Sequence, residues 1–228
     1  MNLRSVALFA FLLAAPVLQA ANLSELRDAE VAKGLREALE LGVANAVTKL
    51  GHENGFMDNE AVRIPMPESL QKVESGMRKL GMSKQADELI ATMNRAAEQA
   101  VPEARMLLIN TTRKLTIEDA KKILTGPDDA ATQYFRAQSG EQLAQRFLPI
   151  VARETRKLKL ADYYNRFANR GVALGLVREE DANLDEYVTR KALDGLFLVV
   201  ADEERAIRAD PMETGKRLIK KVFGSVVP

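Results

Sequence analysis

The stretch Leu184–Arg208, LDEYVTRKALDGLFLVVADEERAIR, most constrains the fold of this chain. It is long enough for about seven helical turns. Val188, Ala192, Leu196, Val199, Val200 and Ile207 recur at helical spacing and form one broad apolar face. Phe197 and Leu198 carry the apolar surface further round the rod. A helix wetted along one whole side needs no such surface, so the stretch is expected at the centre of an all-α molecule. Glu203 falls in the middle of the same face, where a carboxylate must be paired, hydrated or protonated. Arg95, Arg208 and Lys191 are the expected partners. Asp194 projects from a different side of the rod and belongs to a separate contact.

The rest of the chain supports helices throughout. Aromatic residues make up only 5%, with no Trp, against 46% hydrophobic and 29% charged residues. Such a composition suits one compact multi-helix domain. Helices are expected over 26–50, 67–80, 83–101, 103–115, 117–124, 130–137, 141–158, 161–168, 184–208 and 212–223. Thr116 and Asp119 have the spacing of a capping box, and Ser139 is expected to cap the 141–158 helix. Pro65 and Pro67 force an extended passage in which Val62, Ile64 and Met66 alternate. Residues 170–183 read as a loop. Gly34 and Gly42 either weaken the first helix or admit a close neighbour.

The N-terminus reads as a targeting segment and not as part of the fold. Arg4 precedes the apolar run Val6–Leu13 and the finish Leu18-Gln19-Ala20, the pattern of a secretory signal peptide cut after Ala20 or Ala21. The domain division is therefore 1–20 as signal peptide and 21–228 as helical domain. No later apolar run approaches the ~18 residues of a membrane span. The expected location is the periplasm, as a soluble protein after cleavage.

The formal net charge is +1, and loss of Arg4 with the leader leaves a neutral chain, so nucleic acid is not an expected partner. The absence of cysteine excludes disulfides, thiolate catalysis and Cys-ligated zinc. His52, the only histidine, stands in a Gly-flanked turn with no triad partners in view. No Glu-x-x-His spacing accompanies Glu203 and Glu204, so neither a metal centre nor a cofactor is expected. Asn94, Arg95 and Glu98 share a helix within local reach of one another, as a brace or a ligand-facing group. Asp128 and Asp129 suit a helix start, and Tyr134 lies within reach of the same polar network. The last helix carries Lys216, Arg217, Lys220 and Lys221, either a solvated face or a peripheral contact with an anionic membrane.

The segments GLREALELGVANAV (34–47), VRIPMPESLQKVE (62–74), NRAAE (94–98), DAKKILTGPDDAATQYFR (119–136), LDEYVTRKALDGLF (184–197) and EERAIR (203–208) are unusual stretches that occur in the order of one known family. Through them the chain, over about residues 24–224, resembles the bacterial envelope family catalogued as domain of unknown function 4197. The resemblance implies an exported helical protein. Some members resemble lipoproteins, a subset from which this cysteine-free chain departs. No activity comes with the resemblance. If the family has a site, the residues to inspect are Asn94, Arg95, Glu98, Asp119, Lys122, Asp129, Tyr134, Asp194, Glu203 and Arg208. With no complete catalytic constellation, a non-enzymatic binding or scaffolding role leads, its partner an unidentified small molecule, lipid or envelope protein. A lipid or membrane-surface protein, and an enzyme using buried carboxylates with Arg or Tyr, are the alternatives.

Overall fold

The computed structural model describes residues 17–68, 71–157, 159–175, 177–178, 182–211, 214 and 217–223. Its elements are α1 (Val17–Leu50), α2 (Gln71–Lys79), α3 (Ser83–Ala100), α4 (Ala104–Arg113), α5 (Ile117–Thr125), α6 (Ala130–Thr155), α7 (Lys159–Ala173), α8 (Leu184–Ala209) and α9 (Arg217–Phe223), with a 3₁₀ turn at Val101–Glu103 joining α3 to α4. Among the described residues there is no strand, as the composition predicts. The expected cleavage point falls inside α1, and residues 1–16 lie outside the described part.

α8 packs against α6, α1, α3 and α7. The whole apolar face expected of it is buried: Val188, Ala192, Leu196, Val199, Val200 and Ile207. Opposite them, α1 buries Leu35, Leu39, Val43, Val47 and Leu50 at a spacing of three to four. The two α1 glycines admit close neighbours. A Cβ on Gly34 would stand 2.5 Å from Val222 of α9, and one on Gly42 would stand 3.5 Å from the Cβ of Glu203.

α6 departs from the expected pair of helices. It runs unbroken for 26 residues through Ser139, Gly140 and Pro149. Ser139 does not cap anything. Its hydroxyl is buried and shares a 2.6 Å hydrogen bond with Thr111 of α4. Gly140 costs the helix about 1 kcal/mol relative to alanine. The burial of Phe135, Leu143, Phe147 and Val151 on either side outweighs that cost several-fold, at about 2 kcal/mol for each such side chain. The expected loop at 170–183 is also shorter than its composition suggests, because α7 continues to Ala173. Asn183 then caps α8, its Oδ1 accepting from Asp185 and Glu186 N–H. Residues 212, 213, 215 and 216 lie outside the described part, so the last helix is seen from Arg217.

The segment 51–67 forms a non-helical strap across α3 and α8. Phe56, Val62, Ile64 and Met66 are buried along it. Among the described residues no strand pairs with it. Instead the Asn94 carboxamide stands in for one: its Oδ1 accepts from Ile64 N–H at 2.8 Å and its Nδ2 donates to Ile64 C=O at 2.9 Å. Glu98, one turn on, accepts from Phe56 and Met57 N–H at 3.0 and 3.2 Å. Tyr187 Oη donates to Pro65 C=O at 3.0 Å. The buried backbone groups of an irregular segment thus find partners in side chains from neighbouring helices.

Candidate functional site

The two buried acids of α8, Glu203 and Glu204, are both engaged by neighbouring helices. Glu203 is buried as expected, but none of its three expected partners reaches it. Its carboxylate accepts from Lys49 Nζ at 2.5 Å and Asn45 Nδ2 at 2.8 Å, both on α1. Arg95 instead pairs with Glu53 at 2.9 Å, and Arg208 with Glu204 at 2.7 Å. Lys191 forms no ion pair among the described residues. Adjacent helical positions point about 100° apart, so Glu204 faces α6 where Glu203 faces α1. Glu204 accepts from Ala131 N–H, Thr132 N–H and the Thr132 hydroxyl at 2.9–3.0 Å. It therefore caps α6 from outside. Asp129 occupies the N-cap position without capping, its Oδ1 instead accepting from the Gln133 carboxamide at 2.8 Å. Arg208 completes the junction by donating to Ile123 C=O at the end of α5.

Asp119, Lys122 and Tyr134 form a second group. Thr116 and Asp119 make the expected capping box, with Asp in the place usually held by Glu or Gln. Hydrogen bonds from the Thr116 hydroxyl and backbone hold the Asp119 carboxyl below the ordinary carboxylate range. Lys122 pairs with Glu118 one turn back, which raises its ammonium pKa. Burial, and then the charge of Asp119, push the Tyr134 phenol up.

Arg95 and Glu98 border a polar cleft of 480 Å³ together with His52, Glu53, Gln99 and Pro102. The strap amides occupy one oxygen of Glu98 and Glu53 neutralises Arg95. His52 is exposed, and its Nδ1 lies 2.7 Å from Glu53 C=O.

The remaining two candidates, Asp129 and Asp194, line the same groove. It lies between the strap, α6 and α8, which run antiparallel, and has two arms. One, of 420 Å³, is bounded by Arg63, Asp129, Gln133, Lys191 and Leu198. The other, of 380 Å³, is bounded by Ala144, Leu148, Glu186, Thr189, Arg190 and Leu193. Arg136 and Asp194 border both, bridged at 3.1 Å, and the Arg136 guanidinium lies 4.7 Å above the Phe197 ring. Arg63 and Lys191 have no ionic partner among the described residues, and Leu148 and Leu198 are 37% and 39% exposed. Leu198 therefore does not extend the buried face, as its position in the sequence suggests, but lies at the groove.

The candidate residues thus fall in separate places, and only Arg95 with Glu98, Asp119 with Lys122 and Tyr134, and Asp129 with Asp194 come together. Sequence reasoning missed Arg63, Arg136, Leu148 and Thr189. Only Leu148 carried a signal, as an apolar residue lying off the main helical stripe. Among the described residues no group of three or more His, Asp or Glu side chains is placed to hold a metal ion. No helix among them is long and apolar enough to cross a membrane.

No curated protein and no solved structure matches the chain. A family model, described as protein of unknown function (DUF4197), matches residues 25–224. That match spans nearly every element described above, and the chain belongs to this family.

Proposed function

We propose that this protein is an exported, periplasmic binding protein without catalytic activity, and that the α6–α8 groove is its ligand face. The leader-like residues 1–20 support the location. The carboxylates on which an enzyme reading rested support the binding role, because Glu98, Glu203 and Glu204 are engaged by backbone amides, Asn45, Lys49 and Arg208. One observation carries the proposal: two adjoining concavities, bordered in common by Arg136 and Asp194, combine exposed leucines with Arg63 and Lys191, which have no ionic partner among the described residues. Folding alone gains little from that combination.

Native mass spectrometry of protein released gently from the periplasm tests it, against the same sample denatured. The expected result is a retained small molecule that is lost on denaturation and absent from Leu148→Glu. A bare wild-type chain, or a retained mass indifferent to Leu148→Glu, overturns the groove as ligand face.

A further inference from the structure

Building on the reading of the groove as a ligand face, we infer that its occupant is a single-chain anionic amphiphile, bound as a monomer. The acidic head lies on the basic side of Arg136 and the alkyl chain on the apolar side.

The two arms differ in chemistry. Around the first, Arg63 and Lys191 offer two positive charges with no ionic partner among the described residues, against the charge of Asp129, which accepts from the Gln133 carboxamide, while Asp194 is paired with Arg136. An anion gains from both cations and displaces no existing pair of theirs. Around the second, Ala144, Leu148 and Leu193 supply an apolar wall. Thr189, only 6% exposed, borders this arm with a hydroxyl that has no hydrogen-bond partner among the described residues. Closed cores seldom leave such a group unmade. Rotation about χ1 exchanges the hydroxyl with the methyl group and offers the arm one donor.

The divide between the arms is an ion pair whose side chains are 53% and 49% exposed. Pairs this exposed contribute little to holding a fold together. Stacking over Phe197 keeps the Arg136 guanidinium in place when Asp194 turns away. The freed planar fork then matches a carboxylate or phosphate head. The arms meet at Arg136, so one linear molecule spans both, and a compact polar solute leaves the second unfilled. Charge selects the sign of the head, and the 380 Å³ of the apolar arm suits one chain and not a bilayer surface.

The test uses the mature protein with monomeric palmitate below its micellar threshold, followed by displacement of a fluorescent polyene fatty acid. Binding is expected to saturate, and hexadecyltrimethylammonium, with the same chain and the opposite charge, is expected not to compete. The double variant Arg63→Glu/Lys191→Glu, with thermal melting unchanged, is expected to bind palmitate about tenfold or more weakly. Leu148→Glu is expected to weaken it comparably. Equal competition by the cationic surfactant, or an unchanged affinity in the double variant, overturns the anionic head. If both surfactants still lose affinity in Leu148→Glu, the groove itself survives that result. Binding to palmitate-containing vesicles but not to the monomer overturns the single-chain occupant in favour of a membrane surface. Absence of palmitate binding beside a different retained mass sensitive to Leu148→Glu overturns this inference alone, and absence of both removes the binding role with it.

Discussion

Glu204 sets the energetics at the scale of single residues. The first amides of a helix have no partner within it, and here a carboxylate from α8 supplies one for Ala131 and another for Thr132. The positive end of α6 and the guanidinium of Arg208 both attract its carboxylate. Glu204→Ala strips the cap and leaves Arg208 without its carboxylate, so the free energy of unfolding in urea should fall by about 3 kcal/mol. Glu204→Gln keeps one acceptor and loses the charge, and a smaller loss of about 1–2 kcal/mol is expected. Equal losses from the two would mean that charge and capping contribute nothing beyond shape. Glu203 shows what a sequence reveals of such residues. Its burial was legible, because a polar residue interrupts a periodic apolar face. Its partners were not, because Lys49 lies 154 residues away and periodicity specifies only neighbours within one element. The same limit concealed the part Asn94 plays, since nothing local says that a carboxamide will substitute for a strand.

Between elements, two features invite measurement. Gly34 brings α9 against α1 at a distance that no side chain permits. Gly34→Ala gains about 1 kcal/mol in helix propensity. Its Cβ, however, would meet Val222 at 2.5 Å and the Leu218 carbonyl oxygen at 3.1 Å. Overpacking of this kind costs about 1–3 kcal/mol and should prevail. Hydrogen exchange should quicken in α9, and Val222→Ala should restore part of the protection. An unaltered exchange pattern in Gly34→Ala would refute the tight α1–α9 seam. The second feature is the capping box of α5. The folded Asp119 pKa lies below its unfolded value. Its contribution is therefore complete above the unfolded pKa and disappears as the pH falls through the folded one. Thr116→Ala should cost about 1 kcal/mol at neutral pH. Melting curves of the two proteins should converge in acid, and a constant gap across the titration would mean that Asp119 plays no part. This box was readable from spacing alone. The unity of α6 was not, because Ser139 and Gly140 carry a break signal that only the burial of Leu143, Phe147 and Val151 overrides.

Over the whole molecule, the all-α class and the buried face of α8 were legible because apolar spacing reports which side of a helix meets the core. The groove was not, because a concavity is a property of surfaces that meet only after the chain has closed on itself. Arg63 comes from the strap, Arg136 from α6 and Lys191 from α8, and no window of sequence contains all three. The cap on α6 has a further consequence in time. Glu204 follows Ala131 by 73 residues, and Tyr187 follows Pro65, whose carbonyl it holds, by 122. A chain emerging from its N-terminus makes α6 and the strap long before the groups that satisfy them exist. Ala131, Thr132 and Pro65 lack these partners until α8 has been synthesised, so the cap on α6 and the seating of the strap are completed only at the end of the chain. A polypeptide with that delay leaves these two junctions open while it is being made.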